Sequence, residues 1–167
     1  MANVELQIIT PEGVKLTASV SEFTAPSADG EFGVLPSHRP LLAALKTGIV
    51  RFTEGNDKVE VAVGPGFAEV IDDRAVLLTQ KFTRKEDVDP VIARRDLKNA
   101  EEALANFAGT DAEQRELVSA SLWAAARLEL YGDPPPPTLY VAHELGHLGQ
   151  ELMGDPAAAT DDDTEVS

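Results

Sequence analysis

The hydrophobic period of this chain changes once, near residue 86, and that change limits its fold more than any single motif does. Before it, apolar residues alternate with polar ones. Val4, Leu6 and Ile8 sit between Glu5 and Gln7, Pro11-Glu12-Gly13 turns the chain, and Val14, Leu16, Ala18 and Val20 alternate again. This is the period of a strand with one buried face. Residues 49–52 and 59–63 flank Glu54-Gly55-Asn56-Asp57, a hairpin signal. Gly64-Pro65-Gly66 breaks the chain before residues 67–71, and Asp72-Asp73-Arg74 turns it into residues 75–79. Short, closely spaced strands with no helical pattern between them predict a β-sandwich or barrel.

After residue 86 the steps become four and three. Asp89 suits a helix cap and Pro90 its first turn. Ala93, Leu97, Ala100, Leu104 and Phe107 form one narrow apolar stripe, and Gly109 is expected to end that helix. Thr110 with Glu113 has capping-box spacing for a second helix. Its stripe is Leu117, Ser121, Ala124, Leu128 and Tyr131, thickened by Val118, Leu122 and Ala125. A short loop pairs two such helices antiparallel. Their many alanines bury little area, which predicts a weakly held hairpin. Gly132-Asp133 and the prolines at 134–137 then halt the chain as a stiff spacer. One more short helix fits residues 138–154, and the small, acidic remainder predicts disorder. The fold class is therefore mixed, β then α. A sandwich over 1–85 precedes a helical hairpin over 86–132, with a spacer, short helix and acidic tail over 133–167.

Charge narrows the partners. The formal net charge is −15. Residues 1–84 carry 11 acids against 8 bases, and residues 85–167 carry 18 against 6. No basic stripe serves nucleic acid, and an acidic surface disfavours adhesion to anionic lipid. With no cysteine, disulfides and thiolate metal sites are excluded. No apolar run approaches the roughly 20 residues that span a bilayer, so direct lipid insertion is not expected. The start Met-Ala-Asn-Val-Glu lacks the features of a signal peptide, and the expectation is a soluble protein of a reducing compartment.

Residues 30–48 pack three glycines and two prolines around short apolar runs, with Glu31 and His38 carried on one demanding backbone path. This segment resembles a signature of the epsilon subunit of F-type ATP synthases. A second resemblance runs through Gly64-Pro65-Gly66-Phe67-Ala68-Glu69-Val70 to Ala75-Val76-Leu77-Leu78-Thr79, and the match covers roughly residues 3–131. Two departures stand out. The family's proline-glycine-histidine-alanine-proline run is Pro36-Ser37-His38-Arg39-Pro40 here, and one of its paired glycines is Pro65.

The resemblance implies a β-sandwich and helical hairpin forming a rotor subunit without chemistry of its own. It implies as partners the gamma subunit, the c-ring and the catalytic alpha/beta hexamer. The location implied is the cytoplasmic face of a bacterial cell membrane. It implies c-ring or gamma contact by Glu31, Phe32, Gly33, His38 and Pro40, with the Glu31 loop facing the c-ring and His38 near gamma. The residues alone make Glu31 a surface acid and His38 a turn histidine bonded to local backbone. The family's hairpin can block ATP hydrolysis, and some members bind ATP through a motif at the start of the first helix. The matching positions include Asp89, Ile92 and Ala93, with Ile92 where that motif has arginine. A guanidinium fork is hard to replace in phosphate binding, and on the second helix Trp123 stands where a basic residue would help, leaving Arg127. ATP binding is expected to be weak or absent.

A rival reading lies in the tail, where His143-Glu144-Leu145-Gly146-His147 is a literal HExxH. On a helix the two histidines share a face and Glu144 could act as general base to a zinc-bound water, the signature of zincin metallopeptidases. The third ligand is missing. Glu151 lies about 12 Å from His143 along a straight helix at 1.5 Å per residue. Gly146 also costs the helix about 1 kcal/mol relative to alanine. The alternatives are adventitious or structural zinc binding, two exposed histidines without a role, and an acidic tail that binds some partner. No cofactor is expected.

Overall fold

A computed structural model of the chain describes residues 2–136. The alternating part forms β1 (Val4–Thr10), β2 (Gly13–Val20), β3 (Glu22–Ser27), β4 (Gly30–Val34), β5 (Leu41–Leu45), β6 (Gly48–Glu54), β7 (Asp57–Val63), β8 (Gly66–Ile71), β9 (Arg74–Thr79) and β10 (Phe82–Arg84). A short 3₁₀ turn, Lys85–Asp87, leads into α1 (Pro90–Ala105) and α2 (Asp111–Tyr131). The β-then-α architecture is as the period change predicts. The spacer beyond residue 136, the short helix expected over 138–154 and the acidic tail lie outside the described residues.

The strands form two layers of a sandwich. One runs β5-β8-β9-β1-β2 and the other β4-β3-β6-β7-β10, and they join where Ser27 of β3 pairs with Leu45 of β5. β1 and β9 pair parallel, Leu6 beside Ala75 and Ile8 beside Leu77, while the other strand pairs are antiparallel. The inner faces share one core. Leu6, Ile8, Leu16, Val70 and Leu77 come from the first layer, and Phe23, Val34, Val50, Val61 and Val63 from the second. Burying side chains of this size stabilises by about 1.5–3 kcal/mol each.

Two details depart from simple alternation. A bulge between Ile8 and Ile9 shifts the β1–β2 register, so Ile9 faces Val14. Val14 therefore points outward and is 57% exposed, although it falls in the apolar series with buried Leu16. Helix α1 stops at Ala105, short of Phe107 and Gly109. There the Asn106 side chain donates to the Glu102 carbonyl, and the Phe107 amide bonds Leu104 at i−3, tightening the last turn.

The hairpin is antiparallel, since Arg94 near the start of α1 bonds Asp133 after α2, and Asp96 bonds Arg127. Asp89 caps α1 by accepting from the amides of Val91 and Ile92. Thr110 and Glu113 form the capping box at α2, and Gly132 at φ 104° closes its far end. α2 is buried on two sides. Ser121, Ala124, Ala125 and Leu128 continue the expected stripe, but Tyr131 is exposed. Ala126 and Leu130 are buried instead, because α2 also lies on the outer face of β6 and β7 against Ile49 and Ala62. The residues Met1–Pro135 accordingly form one compact unit.

Candidate functional site

The layer β5-β8-β9-β1-β2 has no helix over its outer face among the contacts between described elements. Its registers align Ala44, Phe67, Leu78, Ile9 and Val14 in a single row across all five strands. Phe67 is 59% exposed and Leu78 51%, and Leu42 and Ile71 stand exposed on the same face. Contiguous apolar surface of this kind marks a contact site on a soluble domain. The sequence carries the signal in Ala75-Val76-Leu77-Leu78, where alternation fails because both faces are apolar.

The residues singled out from the 30–48 segment do not converge. Glu31 lies near the hairpin end of β4, opposite Pro26, whereas His38 lies in the loop beyond the other end of that strand. Phe32 packs against the core, its ring edge-on to Phe23 with centroids 6.3 Å apart. Gly33 is exposed beside Thr24, and Pro40 is exposed in the loop. The His38 Nδ1 is 2.6 Å from the Arg39 carbonyl, a local bond of the kind expected for a turn histidine.

Glu31 belongs to an ion-pair group centred on Arg51 of β6. The guanidinium reaches Glu60 at 2.9 Å, Glu31 at 3.3 Å and Glu129 of α2 at 3.3 Å. One cation thus ties β4, β7 and α2 together. All four side chains are partly solvated, so each pair is worth at most about 1 kcal/mol. Sequence spacing does not bring these residues together; only the sheet register and the docking of α2 do.

The hairpin positions are already engaged. The Asp89 carboxylate is spent on the helix cap, Ile92 is partly exposed and Ala93 is fully buried. Arg127 donates to Asp96 at 2.9 Å, and its guanidinium lies 5.9 Å from the centre of the Trp123 ring. The Arg127 guanidinium beside Asp96 holds that carboxyl below its usual range; partial burial opposes this, and Arg95 adds a lesser lowering. The Lys81 ammonium also approaches the Trp123 ring, 5.8 Å from its centre.

His143, Glu144 and His147 fall outside the described residues. Among the described residues no group of three or more His, Asp or Glu side chains could hold a metal ion, and no helix is long and apolar enough to cross a membrane.

Residues 3–85 match the family model for the ATP synthase delta/epsilon chain β-sandwich domain. The ATP synthase epsilon chain of Magnetococcus marinus is 39% identical over 115 residues, 68% of this chain and 80% of that one. ATP synthase epsilon chain 2 of Syntrophotalea carbinolica is 33% identical over 129 residues, 77% of this chain and 94% of that one. Among solved structures, a chain of the Euglena gracilis mitochondrial ATP synthase (OSCP/F1/c-ring) superposes with a TM-score of 0.63 at 22% identity, covering 80% of this chain and 79% of its own length. A chain from the central stalk/c-ring structure of the Tetrahymena thermophila mitochondrial enzyme gives 0.54 at 14%, covering 77% and 96%. At these identities the two superpositions speak for the fold.

Proposed function

This chain belongs to the delta/epsilon-chain family of ATP synthases, and we propose that it is the epsilon-type subunit of the rotor's central stalk, joining the c-ring to the gamma subunit and catalytic head. It carries no chemistry of its own and is held at the cytoplasmic face of a bacterial cell membrane through that complex. The observation that carries the reading is the apolar row Ala44-Phe67-Leu78-Ile9-Val14, which we assign to gamma. Glu31 and its hairpin turn serve the c-ring, and the loop with His38 meets gamma beyond the end of the row. ATP binding is not part of the role, since Ile92 supplies no fork and Arg127 is committed to Asp96.

The hairpin supplies regulation by blocking ATP hydrolysis when it leaves the sandwich. Its seat there is small, Ala126 and Leu130 on Ile49 and Ala62 with Arg51–Glu129 beside them. A few kcal/mol of holding energy suits a two-state element.

Phe67→Asp tests the docking assignment. The side chain is largely exposed, so the variant should still fold, losing about 1–2 kcal/mol of strand propensity and cross-strand contact. Affinity for the cognate gamma subunit, measured by titration, should fall by about tenfold or more, as for loss of an aromatic anchor. Unchanged affinity in a folded variant would remove the assignment.

A further inference from the structure

Three non-glycine residues among those described have left-handed backbone, and they meet at one end of the first sheet layer. Ser37 has φ 65°, Asp72 φ 47° and Asp73 φ 58°. Asp72 and Asp73 are the two central residues of the β8–β9 hairpin, between paired Ile71 and Arg74. Positive φ at both makes this a type I′ turn, which short polar side chains tolerate best after glycine. Ser37 follows Pro36 in a second turn, closed by the His38 amide on the Leu35 carbonyl at 3.2 Å. Proline followed by positive φ defines type II, where the third position ordinarily takes glycine or asparagine. Serine is costly there, and something must hold it.

The holding group is Asp73. Its carboxylate accepts from the Ser37 amide at 2.5 Å, while its carbonyl accepts from the Glu5 amide at 2.8 Å. One residue thus fastens its own turn to β1 and reaches across to the loop. The loop's bonds at His38, from its amide to Leu35 and from its ring to Arg39, stay inside the loop. A carboxylate is a stronger acceptor for an amide than a neutral oxygen. The loop and the turn also border the apolar row, since Leu42 and Ile71, exposed next to them, extend it to this end.

We infer that Asp73 is a positioning residue: through the Ser37 amide it fixes the 35–40 loop in the shape presented to the gamma subunit. The inference rests on the gamma-facing assignment of that loop made above. The turn's own geometry does not need the carboxylate, because glycine satisfies φ 58° better than aspartate. Fold and function therefore separate on substitution.

Asp73→Gly and Asp73→Asn are compared in the full chain. The glycine variant keeps cooperative melting, but its Ser37 amide should exchange about fivefold faster, the worth of one lost hydrogen bond. Its affinity for gamma should fall by a similar factor, about fivefold. The asparagine variant keeps left-handed tolerance and a carbonyl acceptor, and should restore both. Asp73→Gly with parental Ser37 protection or parental gamma affinity overturns the inference, as does an asparagine variant no better than glycine. Failure of the parent chain to bind gamma would instead sink the functional assignment. Ser37 exchange alone then still decides whether Asp73 pins the loop.

Discussion

At Gly66 the sandwich leaves no room for a single methyl group. A Cβ built there would lie 1.8 Å from the Leu78 carbonyl oxygen and 2.8 Å from its carbon. Both are backbone atoms of the neighbouring strand, so no side chain can swing away. The approach is set from below: buried Thr79, opposite Gly66, donates its hydroxyl to the Gly64 carbonyl at 2.9 Å. Gly66→Ala should therefore destabilise the protein by on the order of 2–4 kcal/mol in urea unfolding. Gly33→Ala is the control, in an exposed strand position where the nearest atom to the added carbon, Thr24 Cγ2, is 3.8 Å away. It should change stability by no more than about 0.5 kcal/mol. Equal costs at the two sites would show that crowding at Leu78 is relieved by a strand shift. In the sequence, Gly64-Pro65-Gly66 reads as a break between strands, which it is. Nothing local says that the Leu78 backbone also fills the space a Gly66 side chain would need, because Leu78 is brought there by register.

Each element of the hairpin shows what local pattern reveals and where it stops. Caps are local chemistry, and Asp89, Thr110 and Glu113 do what their spacing predicts. Ala126 and Leu130 were not legible as a second buried face, since period alone cannot announce that a helix touches two neighbours. The Arg51 group was hidden for the same reason. The inter-helix pair Asp96–Arg127 makes the stability of the hairpin depend on pH. The Asp96 carboxyl is held below its ordinary value in the fold, chiefly by Arg127. Its contribution is thus complete above the unfolded value and is lost as pH falls through the folded one. Trp123, the chain's single tryptophan, has its ring centre 5.9 Å from the Arg127 guanidinium and reports on this seam. Acidification below the usual carboxylate range should shift its emission to the red before the sandwich unfolds. Asp96→Asn should flatten that early shift, and an unaltered acid profile in the variant would show that other groups govern the hairpin.

The whole molecule divides its labour between a core that needs no helix and a hairpin that needs the core. The sandwich cluster runs from Val4 to Leu77 with Phe82 packed against it, and no residue of α1 or α2 belongs to it. The helices bury chiefly one another, and on the sheet α2 covers apolar Ile49 and Ala62 beside the Arg51–Glu129 pair. The apolar row lies on the layer opposite that seat, so the proposed gamma contact and the proposed release of the hairpin use separate surfaces. A chain ended after Lys85 should therefore still melt cooperatively. Uncovering Ile49 should lower its stability by about 1.5–3 kcal/mol, the transfer cost of one large aliphatic side chain. Its gamma affinity should stay within about twofold of the full chain, because distant sites act additively. In the reconstituted complex the truncated chain should also raise ATP hydrolysis above the level set by the full one. The measurements separate the two assignments. A folded, truncated chain that no longer binds gamma would move the docking surface onto the helices. One that binds gamma but leaves hydrolysis unchanged would leave the hairpin without its inhibitory role.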